Sequence, residues 1–101
     1  MKNNQKVSFN IISNAGIAKS KYMEALKEAK NKNFEKANEL IKEGDNLFIN
    51  AHKIHADLIT KMANKEDINL DLLLIHAEDQ LMSTETIKLL IEELIELYKV
   101  I

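Results

Sequence analysis

Apolar residues recur at intervals of three and four along most of this chain, the spacing of one face of an α-helix. The first such run covers about residues 8–31. Val7, Ile11, Ala15, Ala18, Tyr22, Ala25 and Ala29 fall on one stripe, and Ser8 is placed to cap its start. Asn31-Lys32-Asn33 is a short polar break, with Asn33 a suitable cap for the second helix. So brief a connection predicts an antiparallel helical hairpin. The second run covers about 34–64, with Ala37, Ile41, Gly44, Phe48, Ala51, His55, Leu58 and Met62 on its stripe and Leu40, Leu47 and Ile54 widening it. Gly44 sits in mid-helix, where glycine costs about 1 kcal/mol relative to alanine. Close approach by a neighbouring helix would account for it, and Gly16 invites the same reading.

A second connection, Lys65-Glu66-Asp67-Ile68, leads to a third run over about 69–99, with Asn69 as cap and Asp71 in its first turn at the positive end of the helix dipole. This run is apolar over far more than one stripe: Leu70, Leu72–Ile75, Leu81, Met82, Ile87, Leu89–Ile91, Leu94, Ile95, Leu97 and Tyr98 surround most of its circumference. A helix apolar on most sides is a central one. In a three-helix chain that requires burial against further copies. The pattern therefore predicts an all-α protein, an antiparallel three-helix bundle in a single domain over 1–101, that assembles with itself.

Composition agrees. The 101 residues hold no Pro and no Trp and only two Gly, so little interrupts a helix. The absence of Cys excludes disulfides, thiolate metal sites and thiol nucleophiles, and fits a reducing cytoplasm. Met1 to Lys6 is polar and no apolar run reaches membrane-spanning length, which predicts a cytoplasmic protein with no direct membrane insertion. Charge is uneven: residues 1–66 carry twelve Lys against eight acids, and residues 67–101 two Lys against eight acids. The lysines are mixed with glutamates and lack interleaved aromatics, so nucleic acid is not an expected partner.

Candidate chemistry concentrates in His76-Ala77-Glu78-Asp79-Gln80-Leu81-Met82. His76 and Asp79 share one helix face at their three-residue spacing. Polar groups in so apolar a helix are costly to bury unless paired, metal-bound or catalytic. A lone His with an Asp one turn away is more often structural, yet no cation lies between Lys65 and Lys88 to neutralise Asp79 locally. Two ligands are too few for a closed metal site. Copies of Asp79 brought together about a threefold axis would repel one another, and a hard divalent cation such as Mg²⁺ would offset that repulsion. His52 and His55 form a second pair at the same spacing. His55 reads as a hydrogen-bonded core residue, and His52, at the stripe's edge, as a supporting residue near a site. Met23, Met62 and Met82 read as core filler.

Taken together, these residues resemble the IIA component of the lactose/cellobiose family of the bacterial phosphoenolpyruvate-dependent sugar phosphotransferase system. The likeness runs through Asn14-Ala15-Gly16-Ile17-Ala18-Lys19-Ser20, Asn33-Phe34-Glu35-Lys36-Ala37, Ala51-His52, the segment 72–82 with its His-Ala-x-Asp-x-Leu-Met, and Glu92-Glu93-Leu94-Ile95-Glu96-Leu97-Tyr98-Lys99. The resemblance implies a homotrimer forming a nine-helix bundle, a phosphorylated histidine at His76, and a metal-associated aspartate at Asp79 on the trimer axis, holding one Mg²⁺ or similar cation per trimer. Family members often carry a second His where this chain has Gln80, which donates a hydrogen bond but does not titrate. The implied activity is that of a phosphocarrier. It accepts a phosphoryl group from the histidine-containing phosphocarrier protein and passes it to the cysteine of a IIB component, serving uptake of a disaccharide such as lactose, cellobiose or chitobiose through a membrane IIC component. The residues alone leave two alternatives: a non-catalytic trimeric interaction or regulatory protein, and a small metal-dependent helical enzyme.

Overall fold

A computed structural model of the chain describes residues 2–101, with side chains from residue 5 onward. Three helices make up nearly all of it: α1 (Lys2–Lys30), α2 (Phe34–Ala63) and α3 (Leu72–Val100). At a rise of 1.5 Å per residue each spans roughly 45 Å, against a long dimension of 51 Å for the bundle. Each helix therefore runs nearly its full length. Two reversals leave α1 and α3 parallel to each other and α2 antiparallel to both.

Both reversals use the same device. Beyond α1, Lys32 takes a left-handed conformation (φ 65°) while its N–H donates to Ala29 O and that of Asn33 to Glu28 O. Beyond α2, Lys65 (φ 62°) donates to Met62 O and Glu66 to Lys61 O. This pair of bonds is the Schellman closure, which satisfies the last carbonyls of a helix and normally places glycine at the left-handed position. Here lysine occupies it twice.

The helix starts differ from the sequence expectations in three respects. Ser8 is not a cap: α1 already extends through it, and its Oγ is buried without a hydrogen-bond partner. Asn33 holds the N-cap position of α2 but makes no capping bond, its Nδ2 donating instead to Glu28 Oε1. α3 begins at Leu72 rather than at 69, and Asp71 is its cap, Oδ1 accepting from the Leu74 N–H at 2.9 Å. A carboxylate at that position satisfies an orphan donor and the helix dipole together, which the Asn69 amide does not.

Within one chain the middle helix is α1. It packs along both of the others, whereas α2 and α3 touch only in places. Its stripe is built for this: Ala15, Ala18, Ala25 and Ala29 are fully buried, and such small side chains let two helices approach closely. Tyr22 is the large exception, also fully buried. Its ring lies over Gly44 of α2, where an added Cβ would stand 2.6 Å from Tyr22 Cε1. Gly44 thus serves the close approach its position suggested. Gly16 does not, since a Cβ there meets nothing within 4 Å. The methionines read as core filler are exposed instead: Met23, Met62 and Met82 lie at the surface.

Candidate functional site

α3 has two apolar faces. Leu74, Ala77, Leu81, Thr84, Ile91 and Ile95 are buried against the rest of the chain. Nearly opposite, Leu72, Ile75, Met82, Leu89 and Leu97 stand exposed, Leu72 to 82% and Met82 to 67%. Successive helical residues are offset by about 100°. On that basis Asp79 falls within the exposed stripe, between Ile75 and Met82. His76 lies about 60° round from Asp79 toward α1, and Gln80 about 40° further. His76 and Asp79 are exposed and Gln80 is half-buried. Although one helical turn apart, His76 and Asp79 do not bond to each other, and neither forms a hydrogen bond or ion pair with another described residue.

Three polar contacts fix the rotation of α3 that points these residues outward. Thr84, fully buried, donates from Oγ1 to Gln80 O at 2.8 Å, with Ala15 O of α1 at 3.3 Å. His55 Nε2 of α2 lies 2.8 Å from Glu78 Oε1. Lys88 Nζ reaches Asp45 Oδ1 of α2 at 3.2 Å. That same Asp45 oxygen accepts from the Tyr22 hydroxyl at 2.7 Å, so one carboxylate ties all three helices together. Burial, and then the bond to Asp45, push the Tyr22 phenol well above its ordinary range.

His55 is therefore the hydrogen-bonded, half-buried residue its stripe position indicated. Glu78, Thr84, Asp45 and Lys88 were not singled out from the sequence. Only Thr84 leaves a trace there, as a β-branched hydroxyl residue on the inward stripe of a leucine-rich helix. His52 is exposed, with its ring 6.0 Å from that of Phe48. With Phe48, Ile49, Lys53, Glu85 and Lys88 it lines a groove of about 410 Å³ between α2 and α3. His76 lies on the other flank of α3, toward α1, so a single chain does not bring His52 and His76 together.

Among the described residues no three His, Asp or Glu side chains converge as metal ligands. One chain presents a single carboxylate at Asp79, a hard oxygen donor exposed among apolar neighbours. Its chemistry suits a Mg²⁺-like ion only if symmetry-related copies supply the remaining oxygens. No described helix is long and apolar enough to cross a membrane.

Comparison with known proteins gives a consistent picture. Residues 6–99 match the family described as PTS system, Lactose/Cellobiose specific IIA subunit. The PTS system lactose-specific EIIA component of Staphylococcus epidermidis is 43% identical over 95 residues, covering 94% of this chain and 91% of that protein. Its namesake from Streptococcus mutans is 41% identical, covering 92% and 89%. Among solved structures, the PTS cellobiose-specific enzyme IIA from Bacillus anthracis superposes with a TM-score of 0.94 at 37% identity, covering 98% of this chain and 91% of that one. The IIA(Chitobiose)–HPr complex of the Escherichia coli phosphotransferase system matches with a TM-score of 0.82 at 32% identity, covering 95% and 93%.

Proposed function

The chain belongs to the lactose/cellobiose-specific IIA family of the phosphotransferase system, and from that premise we propose that it is a cytoplasmic phosphocarrier acting through His76. The observation that carries this reading is the exposed, unpartnered imidazole of His76 on a helix whose rotation is locked. A relative of the same fold has been solved in complex with HPr, the histidine-containing phosphocarrier protein, which supports HPr as the donor.

A neutral imidazole nitrogen is a nucleophile, and its phosphorylated form is itself a good donor. In the first step a His76 nitrogen forms a bond to phosphorus as the phosphorus–nitrogen bond of the donor histidine breaks. In the second, the thiolate of a IIB component forms the new bond to phosphorus and the His76 nitrogen leaves. Phosphoryl transfer of this kind depends chiefly on in-line positioning and charge stabilisation. His76 must accordingly be reachable by two proteins in turn, which its exposure allows. Gln80, half-buried about 40° round the helix, supplies an amide donor for a phosphoryl oxygen. His52, on the other flank of α3, supports the site only from the α2 of a neighbouring copy.

The exposed stripe of α3 is the seam of a homotrimer in this reading, and three copies of Asp79 meet at its axis. A Mg²⁺ or similar cation bound there would neutralise those carboxylates and so stabilise the assembly. The substrate class of the whole system is a disaccharide, carried by a membrane IIC component that this chain serves only through IIB. Incubation with phosphoenolpyruvate and the upstream proteins, followed by mapping of the acid-labile phosphate, tests the assignment. Labelling is expected on His76 and absent from His76→Ala, and undiminished labelling of that variant would overturn it.

A further inference from the structure

We infer that the cation facing a phosphoryl group on His76 is Lys53 of the partner subunit, so that each transfer site is built from two copies of the chain. This rests on the reading of His76 as carrier and of the α3 stripe as the assembly seam.

A phosphoryl group on an imidazole brings concentrated negative charge, and a lysine or arginine is its usual protein counterpart. Among the residues whose side chains are described, none within the same chain is available. α3 has none between its start and Lys88. On α1, the contact between Thr84 and Ala15 sets the register of the two parallel helices, which places Lys6 close to the level of His76. Yet Lys6 is nine residues from Ala15, which puts it about half a turn round α1. It projects away from α3 and is exposed.

The partner offers what the chain lacks. In any closed ring built around the α3 stripe, the α1 flank of one copy meets the α2 flank of the next, whatever the number of copies. His76 is on the α1 flank. Going round α2 from Gly44, packed on α1, to Asp45, bonded to α3, a further turn of about 80° reaches Lys53. Lys53 is exposed there, one turn from Ile49, itself 50% exposed. The axial level also agrees. The His55–Glu78 and Asp45–Lys88 contacts fix the antiparallel register of α2 and α3 and set Lys53 level with Gln80. Rotation about the assembly axis preserves that level. The offset from His76 is then four residues of helix, about 6 Å, within the reach of a lysine side chain.

Mixed assemblies decide the matter. Purified Lys53→Gln should sediment as the wild type does but acquire ³²P from phosphoenolpyruvate and the upstream proteins about tenfold more slowly, and Lys53→Arg should restore most of the rate. When Lys53→Gln is co-assembled with His76→Ala, the Lys53→Gln chains gain intact neighbours, and their labelling should accelerate. Wild-type labelling of Lys53→Gln, or no acceleration on co-assembly, would overturn the inference while leaving His76 as carrier. Failure of the wild type to label at all would overturn the carrier reading instead. If Lys53→Gln and Lys53→Met both fail to assemble, Lys53 belongs to the subunit contact and the inference falls.

Discussion

Replacing Gly44 by alanine sets two opposed effects against each other, and the structure says which prevails. Alanine in mid-helix gains about 1 kcal/mol over glycine. The new Cβ, however, would stand 2.6 Å from Tyr22 Cε1, 3.0 Å from Cδ1 and 3.1 Å from Cζ. An exposed ring would swing aside, but this one is fully buried and held by its hydroxyl to Asp45 at 2.7 Å. Asp45 is in turn engaged by Lys88. Overpacking of this kind costs about 1–3 kcal/mol, and weakening a hydrogen bond to a charged acceptor costs about 1.5–3 more. Taking about 3 kcal/mol for the two effects together, Gly44→Ala should be less stable by roughly 2 kcal/mol, a fall in Tm of about 8–16 °C for a domain of this size. Gly16→Ala is the matched control: nothing lies within 4 Å of its Cβ, so the helix-propensity gain of up to about 1 kcal/mol should appear unopposed. Thermal and urea unfolding followed by circular dichroism, at equal protomer concentration because assembly shifts apparent stability, would measure both. A Gly44→Ala protein as stable as the wild type would refute the account of the Tyr22 contact.

Lys65→Gly should raise stability by up to about 1 kcal/mol, because Lys65 holds a left-handed backbone that glycine adopts without strain; a lower urea midpoint for the variant would contradict this. Tyr22 carries a pH signature. Its phenol is pushed up by burial and by Asp45, so above the ordinary tyrosine value of about 10 the unfolded chain loses its proton first. Stability should then fall with rising pH, with a slope from this group approaching about 1.4 kcal/mol per unit. Tyr22→Phe should lose that component in urea titrations between about pH 9 and 11, and an unchanged slope would count against it. If the proposed trimer forms, Asp79→Leu should keep it assembled, since replacing a buried charge cluster by apolar side chains is often neutral or stabilising; dissociation of that variant during sedimentation would contradict the proposed charge-neutralising role of a metal at the axis.

Periodicity located the three helices because each inward stripe keeps its three-and-four spacing throughout. Ile11, Ala15, Ala18 and Tyr22 are read off the chain and found buried. Helix ends were harder. Schellman closures at Lys32 and Lys65 carry no glycine to announce them, and Asn69 and Asp71 are both chemically suited to cap α3. The methionines went astray for a different reason. Periodicity shows that a face is apolar, not that the same chain covers it, and Met82 lies on a face that this chain leaves open. The candidate site of His76, Asp79 and Gln80 could be proposed from the sequence because these residues lie close together on one helix. What orients them could not be. Thr84 to Ala15, His55 to Glu78 and Lys88 to Asp45 each join residues far apart in sequence. No local pattern encodes such pairings.

Those contacts bear on why the chain would assemble at all. An amphipathic helix with two apolar faces has two ways to turn in a small bundle, and rotation would let it exchange one buried face for the other. Here the exchange is blocked. Turning α3 inward-out would strip Glu78 from His55, Lys88 from Asp45 and the buried Thr84 hydroxyl from Ala15 O, and leave Thr84, Glu78 and Lys88 on the outer stripe. Burying Asp79 against α1 would add the cost of an unpaired charge. The isolated chain is therefore held with Leu72, Ile75, Met82, Leu89 and Leu97 in water. At about 25 cal/mol per Å² of apolar surface covered, association is the remaining way to remove that exposure. The same rotation that leaves this stripe exposed also sets His76 beside it rather than in it.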